Sequence, residues 1–148
     1  MSQLESYDFA EISYAASLFE FTSSGPKGDI KKIVQFEETA SKYIWFLSFG
    51  NINEDGTLDD TTINDNKDRD KILYTVAKIV FDFTEKYPDR YIFFTGSSLG
   101  RIRLYRMVIT LKFEELTKMF MIWGIDKNGK PGQFEKNQEY YAFFVKRK

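Results

Sequence analysis

The 148-residue chain contains no cysteine, no histidine and only 3 prolines. Without cysteine there is no disulfide, no thiolate metal ligand and no sulfur nucleophile, while the redox compartment is left open. Without histidine the side chain that most often moves protons near neutral pH is missing, together with the commonest imidazole metal ligand. Ser-His-Asp hydrolysis, histidine-based nuclease chemistry and His/Cys zinc centres are thereby excluded. A surplus of charge is lacking as well: 21 Lys and Arg face 22 Asp and Glu, for a net charge of -1. No whole-molecule field draws in nucleic acid or anionic lipid, so any such binding depends on a local patch. No apolar run approaches the roughly 20 residues that span a bilayer. The opening MSQLESYDFAEISYAASLF has neither the basic start nor the continuous apolar stretch of a secretory signal. The expectation is a cytoplasmic protein with no membrane partner.

What is abundant is aromatic. Apolar residues make up 43% of the chain and aromatics 18%, with 15 Phe and 9 Tyr, enough burial to offset the entropy of ordering. The length suits a single domain over residues 1–148.

The segment SLFEFTSSGPKGDIKKIVQFEE reads as a hairpin. Leu18 to Ser23 is aromatic-rich, SSGPKGD carries the turn residues, and Ile30, Val34 and Phe36 resume alternation with an irregularity near Ile33 that suggests a bulge. Tyr43 to Phe49 is apolar on both parities, the pattern of a central strand covered on both faces. A polar acidic loop follows from Asn51 to Arg69. Beyond it Ile72, Val76, Ile79, Val80 and Phe83 recur at helical spacing, predicting a helix from Asp70 to Tyr87, capped by Asp68 or Asp70 and stopped before Pro88. Arg90 to Gly96 is a short strand. Ile102, Tyr105, Ile109, Phe113, Leu116 and Phe120 then predict a second helix from Leu99 to Phe120, with Arg103, Arg106 and Glu114 on its polar side. The C-terminal stretch closes as strand, Gly-rich connection and strand. The expected fold class is α+β: a mostly antiparallel sheet of about five to six strands in the order β-β-β-α-β-α-β-β, with two helices packed on one face.

Three constellations carry chemistry. In FFTGSSLGR, Gly96 permits a sharp exit from a strand, Ser97 or Ser98 can cap the next helix, and Arg101 falls in its first turn. Backbone donors, hydroxyls, the positive helix end and a guanidinium would converge there, the physics by which helix N-termini hold phosphate. The simpler reading is a capped turn with Arg101 paired to a carboxylate, since the stretch matches neither Gly-rich phosphate motif. Arg103 and Arg106, with Arg101, Lys112 and Lys118, could form a stripe for a polyanion, diluted by Glu114 and Glu115. Lys27, Lys31, Lys32 and the terminal KRK add basic spots.

NINEDGTLDDTTI places Asn51, Asn53, Asp55, Gly56 and Asp59 at alternating oxygen positions, but Thr62 stands where a calcium loop needs a bidentate Glu, so no metal site is expected. Trp45, Phe46, Phe93, Phe94, Trp123, Tyr140, Tyr141, Phe143 and Phe144 could stack bases, although strand aromatics mostly form core. Neighbouring pairs such as Phe143-Phe144 must put one ring on each sheet face, so helices on one face alone would leave rings in need of a partner.

The segments SYDFAEISYAASLFEFTSSGPKGDIKKIVQF and FFTGSSLGRIRLYRMVI together resemble a family of small uncharacterised bacterial proteins, a domain of unknown function with a Gly-Lys-Gly hairpin and a Gly-Ser turn before an Arg-rich helix. The resemblance implies a bacterial, stand-alone, cytoplasmic protein and brings no catalytic residues with it. No paired-carboxylate or nucleophile-base spacing marks an enzyme, and no cofactor is implied. The expected function is a non-catalytic binding module for a phosphate-bearing ligand or nucleic acid at Gly96, Ser97, Ser98, Arg101 and Arg103. The alternative is a protein-interaction domain, or a homodimer, that uses exposed strand aromatics or a sheet edge.

Overall fold

Alternation and helical spacing are realised as nine strands and three helices in the computed structural model, which describes residues 5–12, 17–53, 55, 58–59 and 67–148. In chain order these are β1 (Phe9–Glu11), β2 (Leu18–Gly25), β3 (Gly28–Glu38), β4 (Ile44–Ile52), β5 (Leu58–Asp59), α1 (Arg69–Lys86), β6 (Tyr91–Phe94), α2 (Leu99–Leu111), α3 (Phe113–Met119), β7 (Phe120–Ile125), β8 (Pro131–Gln133) and β9 (Ala142–Arg147). The β1–β2, β2–β3, β4–β5, β6–β9, β7–β8 and β7–β9 pairs are antiparallel and β4–β6 is parallel, a mixed and mostly antiparallel α+β arrangement. The parallel pair needs a long crossover, and α1 lies between its strands in sequence.

The chain forms two compact units. One comprises the described residues of Met1–Glu37 and Leu47–Phe83, the other Glu38–Phe46 and Thr84–Lys148. In the first unit the strand order is β1-β2-β3-β4, with β5 also on β4. The β2–β3 ladder runs unbroken from Leu18 opposite Gln35 to Gly25 opposite Gly28, so the expected bulge is not there. Gly28 leaves the two-residue turn at φ 86, a conformation glycine adopts without steric cost. The irregularity in the pattern is a lysine in an inward position. Lys32 faces Phe21 across the ladder and is only 5% exposed, beside Val34 and Phe36 on the same face. That face carries Phe19 and Phe21, and α1 packs Ile79, Val80 and Phe83 into the core, with the Phe83 ring stacked on Phe36 at 4.0 Å.

In the second unit the order is β4-β6-β9-β7-β8. Its inward face carries Trp45, Ile92, Ile122, Phe143 and Val145, all buried. Helices α2 and α3 cover that face: Tyr105 meets Phe94 edge-on at 5.8 Å, and Phe113 stacks at 5.9 Å on Phe134, which in turn contacts Phe143. A Cβ on Gly124 would stand 2.2 Å from the Tyr140 ring; the bare backbone lets that ring lie against β7.

Among the described residues the sheet has nine strands rather than five to six, β8 lying in the expected Gly-rich connection, and further sequence expectations change. Strand β1 is too short for periodicity to reveal, and β5 sits inside the polar loop, held by pairing with Asn51 and Ile52. The second helix ends at Leu111; Lys112, at φ -110 and ψ 23, turns the chain before α3, which seats Phe113 on Phe134. Phe120 then opens β7 rather than closing a helix. Strand β4 is not covered on both faces: Trp45 and Leu47 are buried while Phe46 is half-buried.

Trp45 is 7% exposed and stacked on Tyr87 at 6.0 Å, with the Arg90 guanidinium 5.2 Å from its ring. Trp45→Ala is expected to lower unfolding free energy by about 3–5 kcal/mol, measured by denaturant titration; a loss under about 1 kcal/mol would mean the indole is not packed.

Candidate functional site

The expected anion site folds as a capped turn. Ser98 is the N-cap of α2 at φ -148 and ψ 161, and its Oγ accepts the Arg101 N–H at 3.2 Å. One of the helix's unpaired first-turn donors is thereby satisfied from within the chain. A Cβ on Gly96 would lie 2.7 Å from the Ile102 nitrogen and 2.8 Å from the Arg101 Cβ, so the glycine lets the strand exit pass tight against the helix start. Ser97, Ser98 and Arg103 are exposed and Arg101 is half-buried. Ser97 and Ser98 precede α2, and Arg101 and Arg103 lie in its first two turns. The first turn of α2 contains no acidic residue, leaving the helix end and its arginines undiluted there.

The wider basic set is spread over several elements. Arg106 donates to the Gln138 carbonyl at 3.3 Å. Lys31 lies 4.0 Å from Glu20, Lys27 is exposed at the hairpin turn, and Lys32 points into the core of the first unit, where its Nζ donates to Asn51 Oδ1 at 2.5 Å. The hairpin lysines belong to the first unit and the helix arginines to the second. Of the calcium-like loop, Gly56 and Thr62 lie outside the described residues; among the described residues no acidic cluster could hold a metal ion.

The aromatic candidates separate by strand parity. Trp45, Phe94 and Phe143 turn toward the helices, and Tyr140 packs with Phe134 and Phe143. On the opposite face Phe46, Phe93 and Phe144 line up across the adjacent strands β4, β6 and β9, with centroids 5.7 and 5.1 Å apart. Tyr91 and Trp123 add a second pair at 5.7 Å, and the Lys146 ammonium stands 5.8 Å from the Tyr91 ring. These five rings are half-buried, and Met121 beside them is 37% exposed. Among the described residues of this unit no helix packs on them; their ring contacts are with one another. The sequence pointed to four of the five. Tyr91 was missed because its exposure follows only from its register opposite Lys146.

One polar cluster was not foreseen. In the first unit Asp68, at the start of α1, does not cap the helix with its carboxylate. Its Oδ2 instead accepts hydrogen bonds from the Tyr7 hydroxyl and the fully buried Ser23 hydroxyl, each at 2.5 Å. The Tyr7 N–H donates to Thr75 Oγ1 at 2.8 Å, its ring stacks on Phe21, and the Lys71 ammonium lies 4.2 Å above it. Burial, reinforced by the Asp68 carboxylate, pushes the Tyr7 phenol above its ordinary 10.0. The cluster fastens the segment before β1 to α1 and β2; with its hydroxyls used internally it offers no free nucleophile.

Ser98→Ala is expected to cost about 1 kcal/mol through loss of the cap, and Gly96→Ala to lower the melting temperature further, because backbone rather than a flexible side-chain end meets the added carbon. Differential scanning calorimetry ranks the two. The Tyr7 shift has a defined sign. An acid held neutral by the fold contributes stability that is complete below its unfolded value of 10.0 and lost as pH rises through the higher folded one. Stability should fall as pH rises from 10.0 through the folded value, and less steeply in Tyr7→Phe, as denaturant midpoints across the alkaline range would show.

No curated protein and no solved structure matches the chain. A family model covers residues 3–148, nearly the whole sequence, and the chain therefore belongs to a family of unknown function, DUF6934.

Proposed function

We propose that the protein is a non-catalytic binding module and that its working surface is the open aromatic face of the second unit, used on a protein partner, a second copy of the chain being the partner tested first. The observation that carries this reading is the row Phe46, Phe93, Phe144 across three neighbouring strands, with the Tyr91–Trp123 pair beside it. Large rings bring much apolar area at little entropic cost, each Å² covered contributing about 25 cal/mol, and contiguous exposed apolar surface is characteristic of interaction sites. A sheet edge supports the reading less well. The strand order of this unit ends at β8, only 3 residues long and opening with Pro131, the kind of short, proline-bearing edge that discourages strand addition.

A two-fold pairing through this face should show a mass that doubles with concentration in sedimentation velocity, independent of salt because the contact is apolar. Phe93→Glu should leave the protein monomeric with its thermal transition retained. A wild-type chain that stays monomeric to high micromolar concentration would remove the second copy as partner.

A second reading places a phosphate-bearing ligand or nucleic acid at Gly96, Ser97, Ser98, Arg101 and Arg103, supported by the acid-free first turn of α2. Titration with phosphate and short oligonucleotides at low salt should then move the amide resonances of Ser97 to Arg101 first. Arg101→Ala should weaken binding without unfolding the chain. Silence at the turn together with a destabilised variant would leave Arg101 a structural residue.

A further inference from the structure

Helix α2 carries apolar side chains on the wrong side. Its inward face buries Val108 and Ile109, yet Leu99 is 67% exposed, Leu111 60% and Met107 37%. These three residues, with the exposed Arg103, fall at every fourth position from 99 to 111. Single exposed leucines are ordinary, but four positions in successive steps of four make one continuous ridge on a helix surface, and such ridges seat in the grooves of a second helix. The ridge has a one-sided charge. Over Leu99–Leu111 the helix holds Arg101, Arg103 and Arg106 and no acidic residue. Arg106 donates to Gln138, whereas Arg103 makes no hydrogen bond or ion pair among the described residues.

We infer that this outer ridge of α2 is a docking surface for an amphipathic helix of another protein, one that presents an apolar stripe to Leu99, Met107 and Leu111 and a carboxylate to Arg103. The helical form of the occupant follows from the ridge spacing, and its acidic character from charge complementarity to an arginine-only helix. A second copy is a poor occupant, since α2 laid on α2 would bring arginines together with no acid from either helix. The site is separate from the aromatic face, which lies on the side of the sheet that α2 does not cover, and does not depend on it.

The probe is a designed 16-residue helical peptide, roughly four turns, with leucines at every fourth position flanked by glutamates, set against its twin with lysines in place of glutamates. In heteronuclear NMR titrations of the full chain the acidic peptide should shift the amides of residues 99–111, and the lysine twin should not. Leu99→Ser with Leu111→Ser should weaken binding about tenfold or more. Arg103→Glu should reverse the preference in favour of the lysine peptide. Phe93→Glu should leave the titration unchanged, so that loss of the aromatic-face reading and loss of this one are distinguishable. Equal binding of the two peptides, no shift with either, or an Arg103→Glu variant that keeps the acidic preference would each overturn the inference. So would binding to anionic phospholipid vesicles in place of the acidic peptide, which would make the ridge a membrane contact.

Discussion

The register of β6 against β4 decides which rings of the second unit are core and which are surface. Ile44 stands opposite Tyr91, Trp45 opposite Ile92 and Phe46 opposite Phe93, so the even-numbered β4 residues and the odd-numbered β6 residues share the outward face. A slip of one residue would carry Ile92 outward and Phe93 inward, exchanging every contact on both faces. Arg90 fixes the pairing at its first residue. Its guanidinium sits 5.2 Å from both the Trp45 and Tyr87 rings, and its NH1 donates to the Lys42 carbonyl. The Tyr91 N–H then donates to the Tyr43 carbonyl at 2.7 Å. The Arg90 Nε lies 3.6 Å from Asp89, within ion-pair reach but beyond a hydrogen bond. Stacking and the carbonyl contact therefore hold this arginine more than its acidic neighbour does, as befits a planar cation between two rings.

From this register the rest of the face follows. Strand β9 is added to β6 with Phe93 opposite Phe144 and Tyr91 opposite Lys146, and β7 is added to β9 with Trp123 opposite Phe144. Each addition continues the same parity. The inward side receives Phe143, Val145 and Ile122 under the helices, and the outward side receives rings with no layer above them in this unit. An apolar run on both parities of β4 thus arises from a buried face beside a half-exposed aromatic one, not from two covered faces.

Elements whose signal is local were legible in the sequence. The predicted Asp70 to Tyr87 helix is α1 within a residue at either end, because Ile72, Ile79, Val80 and Phe83 repeat on one stripe and Pro88 stops it. The hairpin was legible from its Gly-Pro-Lys-Gly turn, and the cap of α2 was narrowed to Ser97 or Ser98 by their place before the apolar period, Ser98 being the residue that serves. What stayed hidden is non-local. Nothing near Lys112 announces a break, since the turn is dictated by Phe113 meeting Phe134, 21 positions away. Lys32 looked like a fault in a strand because its partner Asn51 lies on another strand. Tyr7, Ser23 and Asp68 share no motif, and only the fold brings them to one carboxylate.

The same distinction separates the two surfaces of the second unit from the polar cluster of the first. In the cluster the hydroxyls are bonded within the unit: Ser23 and Thr75 are fully buried and both hydroxyls donate, while Asp68 accepts through Oδ2 and its buried Oδ1 has no partner among the described residues. A buried hydroxyl left without its acceptor costs about 1–3 kcal/mol, so hydroxyls paired in this way serve the fold. On α2 and on the outward sheet face the reverse holds. Leu99 and Leu111 stand exposed on α2 with the exposed Arg103, and the five rings of the sheet face are half-buried, so that part of their apolar area meets solvent. The apolar area left in solvent at these places contributes nothing to the fold of the isolated chain, and covering it would contribute about 25 cal/mol per Å².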